Sequence, residues 1–209
     1  MCSGNTCRSP LVEGLLRTGL AGLPVTVRSA GTSAAANRPM SAEAQRIAVE
    51  LGVPDAAEHR SRRLTIDDIR SADLVLALTR SHRRSIRELL PSASRRVFTL
   101  REFGRLAAVF GVSPSDASPS TEKALGASWA AQELPLPIHS TIEQKLPSAI
   151  ELVTQSRGHL DLPADPRDDD VIDPFQRGRA AYARSTEQLL PAVEAIVGFL
   201  RRASRPDHS

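Results

Sequence analysis

Leu74-Val75-Leu76-Ala77-Leu78 is an unbroken apolar run. A strand with one wet face would alternate apolar and polar side chains. An unbroken run fits a strand buried on both faces, as in a parallel sheet covered by helices above and below. The flanks agree. Residues 81–90 read as a helix that Pro91 stops, and Val97-Phe98-Thr99-Leu100 supplies another strand, so strand, helix and strand follow one another in the α/β manner.

Working back towards the start, Thr65 followed by Asp67 and Asp68 reads as a helix start with carboxylates at its positive end. Residues 41–51 read as a helix with Ile47, Ala48 and Leu51 at helical spacing, ended by Gly52. Val25-Thr26-Val27 reads as a short strand, and residues 8–20 as a helix with Leu11, Leu15 and Leu16 on one face. Working forward, residues 101–110 begin another helix. Residues 111–141 are rich in Ser, Pro and Ala and read as a poorly ordered connection. Helical periodicity returns over 142–157, Asp161 to Asp170 is an acidic loop, and the last helix is expected over 179–202. The expectation is a single α/β domain spanning residues 1–209, with an atypical helical and loop segment at about 104–170.

Composition narrows the function. Lys and Arg number 27 against 24 acids, a formal net charge of +3, and aromatics are 3 % of the chain. Stacking surfaces for single-stranded nucleic acid need aromatic platforms, so no nucleic-acid partner is expected. Basic residues gather in His59-Arg60-Ser61-Arg62-Arg63 and His82-Arg83-Arg84. These read mainly as solvated helix faces, with a modest field that would draw in an anionic substrate. No stretch approaches the roughly 20 apolar residues that span a bilayer, and residues 1–9 do not resemble a secretory leader. No membrane association is expected, and a cytoplasmic location fits. The two cysteines, Cys2 and Cys7, make neither a disulfide framework nor a four-ligand zinc site, so no metal and no cofactor are expected.

Chemistry concentrates in Cys2-Ser3-Gly4-Asn5-Thr6-Cys7-Arg8-Ser9-Pro10. Gly4 lets backbone approach a ligand closely, and Asn5 tolerates the left-handed region. The helix that follows aims its free N–H groups and dipole at whatever the loop encloses. Arg8 adds a planar fork for two phosphate oxygens. The same field favours the thiolate of Cys2, and Ser9 can donate a hydrogen bond to it. Attack on phosphorus would give a cysteinyl-phosphate, with the loop stabilising the equatorial oxygens. Release of an alkoxide or phenolate calls for a proton donor, and hydrolysis of the intermediate calls for a base. Spacing leaves Asp165, Asp168, Asp169, Asp170 and Asp173 as candidates.

This loop resembles the signature of the low-molecular-weight protein-tyrosine phosphatases, Cys-x-Gly-Asn-x-Cys-Arg-Ser-Pro. The similarity continues through Arg28-Ser29-Ala30-Gly31-Thr32, His59-Arg60-Ser61-Arg62, Ala72-Asp73-Leu74-Val75-Leu76 and Asp173-Pro174-Phe175, over residues 1–103 and 171–202. The resemblance implies a three-layer fold on a four-stranded parallel sheet of order 2-1-3-4. It implies Cys2 as nucleophile, Arg8 as phosphate clamp and Asp173 as general acid. Ser3, Gly4, Asn5, Thr6, Cys7 and Ser9 would bind or support the phosphate, with His59 hydrogen-bonded behind the loop. Phe175 and Ala35 would line the substrate pocket, although the segment Ser33 to Pro39 stands where many relatives place a large aromatic. The implied partner is a phosphorylated protein, and the implied reaction is phosphotyrosine hydrolysis.

Several features set the chain apart. Only Met1 precedes Cys2 where the family has its first, central strand, so the expectation is a sequence start placed downstream of the protein's own. Thr6, together with Asp-Pro-Phe, also resembles the protein-arginine phosphatase branch, which makes phosphoarginine the alternative substrate. Cys7 could pair with Cys2 under oxidation, or be a small buried residue. Arsenate reductases of the thioredoxin-coupled type share the loop but need further cysteines, and a phosphate-binding module without activity is the remaining class. Oligomeric state has no signature in the sequence.

Overall fold

The computed structural model describes residues 1–110, 141–158 and 163–205. The connection expected over 111–141 therefore lies outside the described residues, except for Thr141.

The apolar runs pair where they were expected to. β1 (Val75–Ala77) and β2 (Val97–Thr99) are parallel, in the register Val75 to Val97, Leu76 to Phe98 and Ala77 to Thr99. Their side chains divide between two cores. Val75, Ala77 and Val97 join Ile69 and Ile86 on one side, while Leu78 and Phe98 join a larger cluster with Phe103, Leu189, Ile196 and Phe199. Burial on both faces is the reason those strands lack polar alternation. Phe98 meets Phe103 edge to face, with ring centroids 5.2 Å apart.

Helices follow the sequence signals closely: α1 (Arg8–Gly19), α2 (Ala42–Glu50), α3 (Ile66–Ser71), α4 (Arg80–Leu89), α5 (Leu100–Phe110), α6 (Ile142–Gln155) and α7 (Gly178–Ala203). Thr65 caps α3 through a full capping box with Asp68. α4 and α5 pack on the two strands, and α7 lies along α5 and α1. Gly104 makes the α5–α7 approach possible, since a Cβ there would sit 2.5 Å from the Cβ of Ala192 and 2.6 Å from its Cα. α6, from the atypical segment, packs against α5 and α7. The turn after it sets Arg157 over the Phe98 ring, 4.1 Å from its centroid.

As expected of a chain lacking the family's first central strand, the parallel sheet is small, with two strands among the described residues. One expectation is corrected: Val25-Thr26-Val27 forms no strand. The reason is a shortage of ladder partners. Where a first strand would lie, only Met1 and Cys2 stand. The Met1 amine donates to Leu76 O at 2.7 Å, and Leu78 N donates to Met1 O at 2.9 Å. On the other side Thr32 N donates to Cys2 O at 2.9 Å, and isolated parallel bridges join Cys2 to Gly31 and Gly31 to Arg63. The spatial order is therefore Gly31, Cys2, β1, β2, the 2-1-3-4 order in residue-long pieces. Further along, residues 25–28, Leu74 and Met1 line one cavity of about 490 Å³, and no backbone ladder crosses it among the described residues.

Candidate active site

Cys2 ends the bridge between Gly31 and β1, and the chain then loops directly into α1. The N–H groups of Ser3 through Ser9 donate to no carbonyl or side chain among the described residues. Such a row of free N–H groups running into a helix N-terminus suits an anion. Gly31 lies directly beneath. A Cβ there would collide with the Ser3 carbonyl oxygen and stand 3.0 Å from Asn5 N, so only glycine permits this loop to rest on its neighbour.

Asn5 holds the loop's shape. Its φ is +53° and it is wholly buried. Its Oδ1 accepts from Arg62 N at 2.9 Å, which fixes the amide's orientation because a backbone N–H can only donate. Nδ2 then donates to Ser9 Oγ at 3.0 Å and to Ser29 Oγ at 2.8 Å. Ser29 passes its own proton to Glu13 Oε2 at 2.5 Å. Ser9, having accepted from Asn5, keeps its proton for Cys2 Sγ, 3.0 Å away. A chain of assigned donors thus ends on the Cys2 sulfur. His59 Nε2 donates to Asn5 O at 2.7 Å from behind.

Cys7 occupies the far end of the loop. Its Sγ lies 3.2 Å from Ser41 Oγ and 3.3 Å from Tyr182 OH, and those two hydroxyls are 2.9 Å apart. Burial, with the Cys7 contact adding to it, pushes the Tyr182 phenol up to about 12 despite the opposing Ser41 bond. Cys2 and Cys7 are both free thiols. Thr6 Oγ1 lies 3.7 Å from Cys7 Sγ, and its carbonyl accepts from Ser41 N.

The five candidate acids separate. Asp165 pairs with Arg167 at 2.8 Å, Asp169 with Arg105 at 2.6 Å, and Asp170 accepts from Arg80 N at 2.6 Å. Asp168 is exposed. Asp173 alone among them meets the loop: its Oδ2 is 2.8 Å from Arg8 Nη2. Arg8 is buried, and its Nη1 donates to Val171 O at 2.9 Å. Phe175 N donates back to Asp173 Oδ1 at 3.3 Å, and the Phe175 ring is 52 % exposed. Ala35 is exposed, its carbonyl accepting from Ser61 Oγ. Among the described residues no group of acids, His and Cys could hold a metal.

A family model described as low molecular weight phosphotyrosine protein phosphatase matches residues 1–111, more than half of the chain. The chain belongs to this family. It is a family of hydrolases. The probable low molecular weight protein-tyrosine-phosphatase EpsP of Ralstonia solanacearum is 38 % identical over 102 residues, 49 % of this chain and 68 % of the relative. The protein-arginine-phosphatase of Geobacillus stearothermophilus is 41 % identical over 104 residues, again 49 % and 68 %. The solved structure of the YwlE arginine phosphatase from Geobacillus stearothermophilus superposes with a TM-score of 0.61 at 25 % identity, over 100 % of this chain and 94 % of that one. The low molecular weight protein tyrosine phosphatase from T. tengcongensis shares the fold at a TM-score of 0.59 and 23 % identity, covering 94 % of this chain and 93 % of that one.

Within the family signature the residues were legible, but their outer partners were not. Glu13, Ser41, Tyr182 and His82 all reach the loop or its supports and were not singled out as site residues. His82, grouped with Arg83 and Arg84 as a solvated face, is instead buried, with Nε2 2.8 Å from Ser3 Oγ. A signal was present: a helix rich in Arg whose one His falls three residues after a capping Thr79.

Proposed function

We propose that this protein hydrolyses phosphotyrosine in a protein substrate through a cysteinyl-phosphate on Cys2. The observation that carries this reading is the hydrogen-bond chain from Asn5 through Ser9 onto the Cys2 sulfur at 3.0 Å, inside a loop of unspent N–H groups. Phosphate entering the loop takes the Arg8 fork and releases Asp173 from its ion pair, and the freed carboxylate takes up a proton from solvent water. Cys2 then attacks phosphorus as the bond to the tyrosine oxygen breaks, and Asp173 gives that oxygen its proton. Water attacks the cysteinyl-phosphate next, Asp173 takes its proton, and the thiolate leaves onto the Ser9 hydroxyl. Gly4 and Thr6 contribute N–H groups to the cradle, and Phe175 and Ala35 border its mouth. Two free thiols suit a reducing compartment such as the cytoplasm. The segment at about 104–170 is read as an elaboration of one phosphatase domain.

Burst release of p-nitrophenol from p-nitrophenyl phosphate, followed by slower turnover, is the expected result, with both phases abolished in Cys2→Ser. No release from the wild-type protein would overturn the assignment.

A second reading has its own support. Thr6 stands in the loop, and relatives named protein-arginine-phosphatase are 41 % and 40 % identical. Phosphoarginine peptides should then turn over at least as well as phosphotyrosine peptides, with the ratio falling in Thr6→Ile. An unchanged ratio removes this reading.

A further inference from the structure

A second, partly buried polar chain ends on the phosphate loop and has no part in the steps above. Thr79 caps α4, its Oγ1 accepting from His82 N at 3.1 Å, and the same oxygen lies 2.8 Å from His82 Nδ1. The other ring nitrogen, Nε2, lies 2.8 Å from Ser3 Oγ, one residue from the nucleophile. His82 is 8 % exposed. Burial first, then the positive charge of Arg8, lowers its ring to about 4, so the imidazole is neutral at working pH and carries one proton.

Two tautomers would satisfy the distances, and they differ in which proton is left over. If Nδ1 carried the proton, Thr79 Oγ1 would accept twice and its own proton would find no acceptor among the described residues. Ser3 would spend its proton on Nε2. If Nε2 carries the proton, Thr79 donates to Nδ1, Nε2 donates to Ser3 Oγ, and the leftover proton belongs to Ser3. That proton sits on the loop, where an anion can accept it. Thr79 is half-buried, and a proton left over there gains no protein acceptor, whereas one left on Ser3 lies where an anion can take it.

We propose that His82 is a positioning residue of the phosphate loop: as the Nε2–H tautomer fixed by Thr79, it grips Ser3 Oγ and leaves the Ser3 hydroxyl proton for a phosphate oxygen. Ser3 thereby becomes a side-chain donor added to the backbone cradle. The Ser3 carbonyl is held at the same time by Ser33 N at 3.1 Å, so the residue is pinned on two sides.

The proposal rests on the phosphatase reading, and the two can fail separately. Nitrogen-15 NMR of the wild-type protein reads the ring directly: Nδ1 should give the shift of a bare imidazole nitrogen and Nε2 that of a protonated one. The reverse pattern overturns the proposal. In kinetics with p-nitrophenyl phosphate, His82→Ala should raise KM and the inhibition constant of inorganic phosphate about 3- to 10-fold, the worth of one hydrogen bond, with kcat changing less. His82→Gln, whose amide N–H can reach the same oxygen, should recover most of the loss. Ser3→Ala should match His82→Ala, and the double variant should add nothing further. Wild-type phosphate affinity in His82→Ala, or additive losses in the double variant, would overturn it. Should His82→Ala fail to fold, the wild-type ring shifts and the phosphate affinity of Ser3→Ala decide. Failure of the phosphatase reading shows instead as absence of turnover in the wild type, with phosphate binding and ring shifts still measurable.

Discussion

Asn5 concentrates more of the site in one side chain than any other residue. Both amide protons, the amide oxygen and the backbone carbonyl are all engaged, at a φ of +53°. Asn5→Ala removes three hydrogen bonds and forces an alanine into the left-handed region, so thermal or urea melts should show a loss of about 2–4 kcal/mol. Asn5→Gly relieves the backbone strain and should melt between alanine and wild type. Its kcat should stay as low as that of Asn5→Ala, because neither variant directs the Ser9 proton to Cys2. Equal stability of the two variants would show that the backbone conformation carries no cost. Asp173 contributes at the same scale. Asp173→Asn cannot hand over a proton, so kcat should fall by about 10²–10⁴ for a phenol leaving group, and less for p-nitrophenol, which leaves easily unaided. A uniform loss across leaving groups would instead mean that Asp173 acts only by holding Arg8.

Among the elements, α7 joins the core to the loop. Its Leu189, Ile196 and Phe199 are fully buried, and Tyr182 near its start carries the contact to Cys7 and Ser41. Phe199→Ala should destabilise by about 3–5 kcal/mol through the cavity it leaves. Gly104→Val should cost more than the one to three kcal/mol usual for overpacking (about 1–3 kcal/mol), since the nearest atoms are Ala192 Cβ and Cα at 2.5 and 2.6 Å and the helices would have to part. Denaturant midpoints measure both. Tyr182→Phe keeps the ring and deletes the hydroxyl; the expected cost is about 1 kcal/mol, together with faster alkylation of Cys7 by iodoacetamide. The strand expected at Val25-Thr26-Val27 belongs to this scale too. Its alternation is real, with Val25 and Val27 half-buried and Thr26 exposed, but a strand also needs a neighbour, and periodicity carries no information about one.

Across the whole molecule, His82 makes stability depend on pH. Its pKa falls from 6.5 to about 4 on folding, through burial, Arg8 and the N-terminal amine, against the opposing pull of Asp173 and Asp170. As pH drops below 6.5 the unfolded chain binds a proton that the folded one refuses. Stability is therefore highest above 6.5 and declines as pH falls towards 4, by about 1–3 kcal/mol from this group. Urea melts across that range should show the slope, and His82→Gln should flatten it; an unchanged slope would assign it to other groups. The Cys2–Ser9 loop, the helices and the apolar strands were legible in the sequence because each is written in neighbouring residues: a Cys-to-Arg spacing, a helical period, an unbroken apolar run. Family resemblance added Asp173, which spacing alone left level with Asp165, Asp168, Asp169 and Asp170. Tertiary structure decided what depends on residues distant in the chain: that Asp173 is the acid facing Arg8, that Glu13, Ser41, His82 and Tyr182 support the loop, and that the sheet keeps its order with two paired strands. Hydrogen bonds across 79 or 175 positions leave no local pattern, because their geometry exists only once the sheet and α7 have brought both ends together.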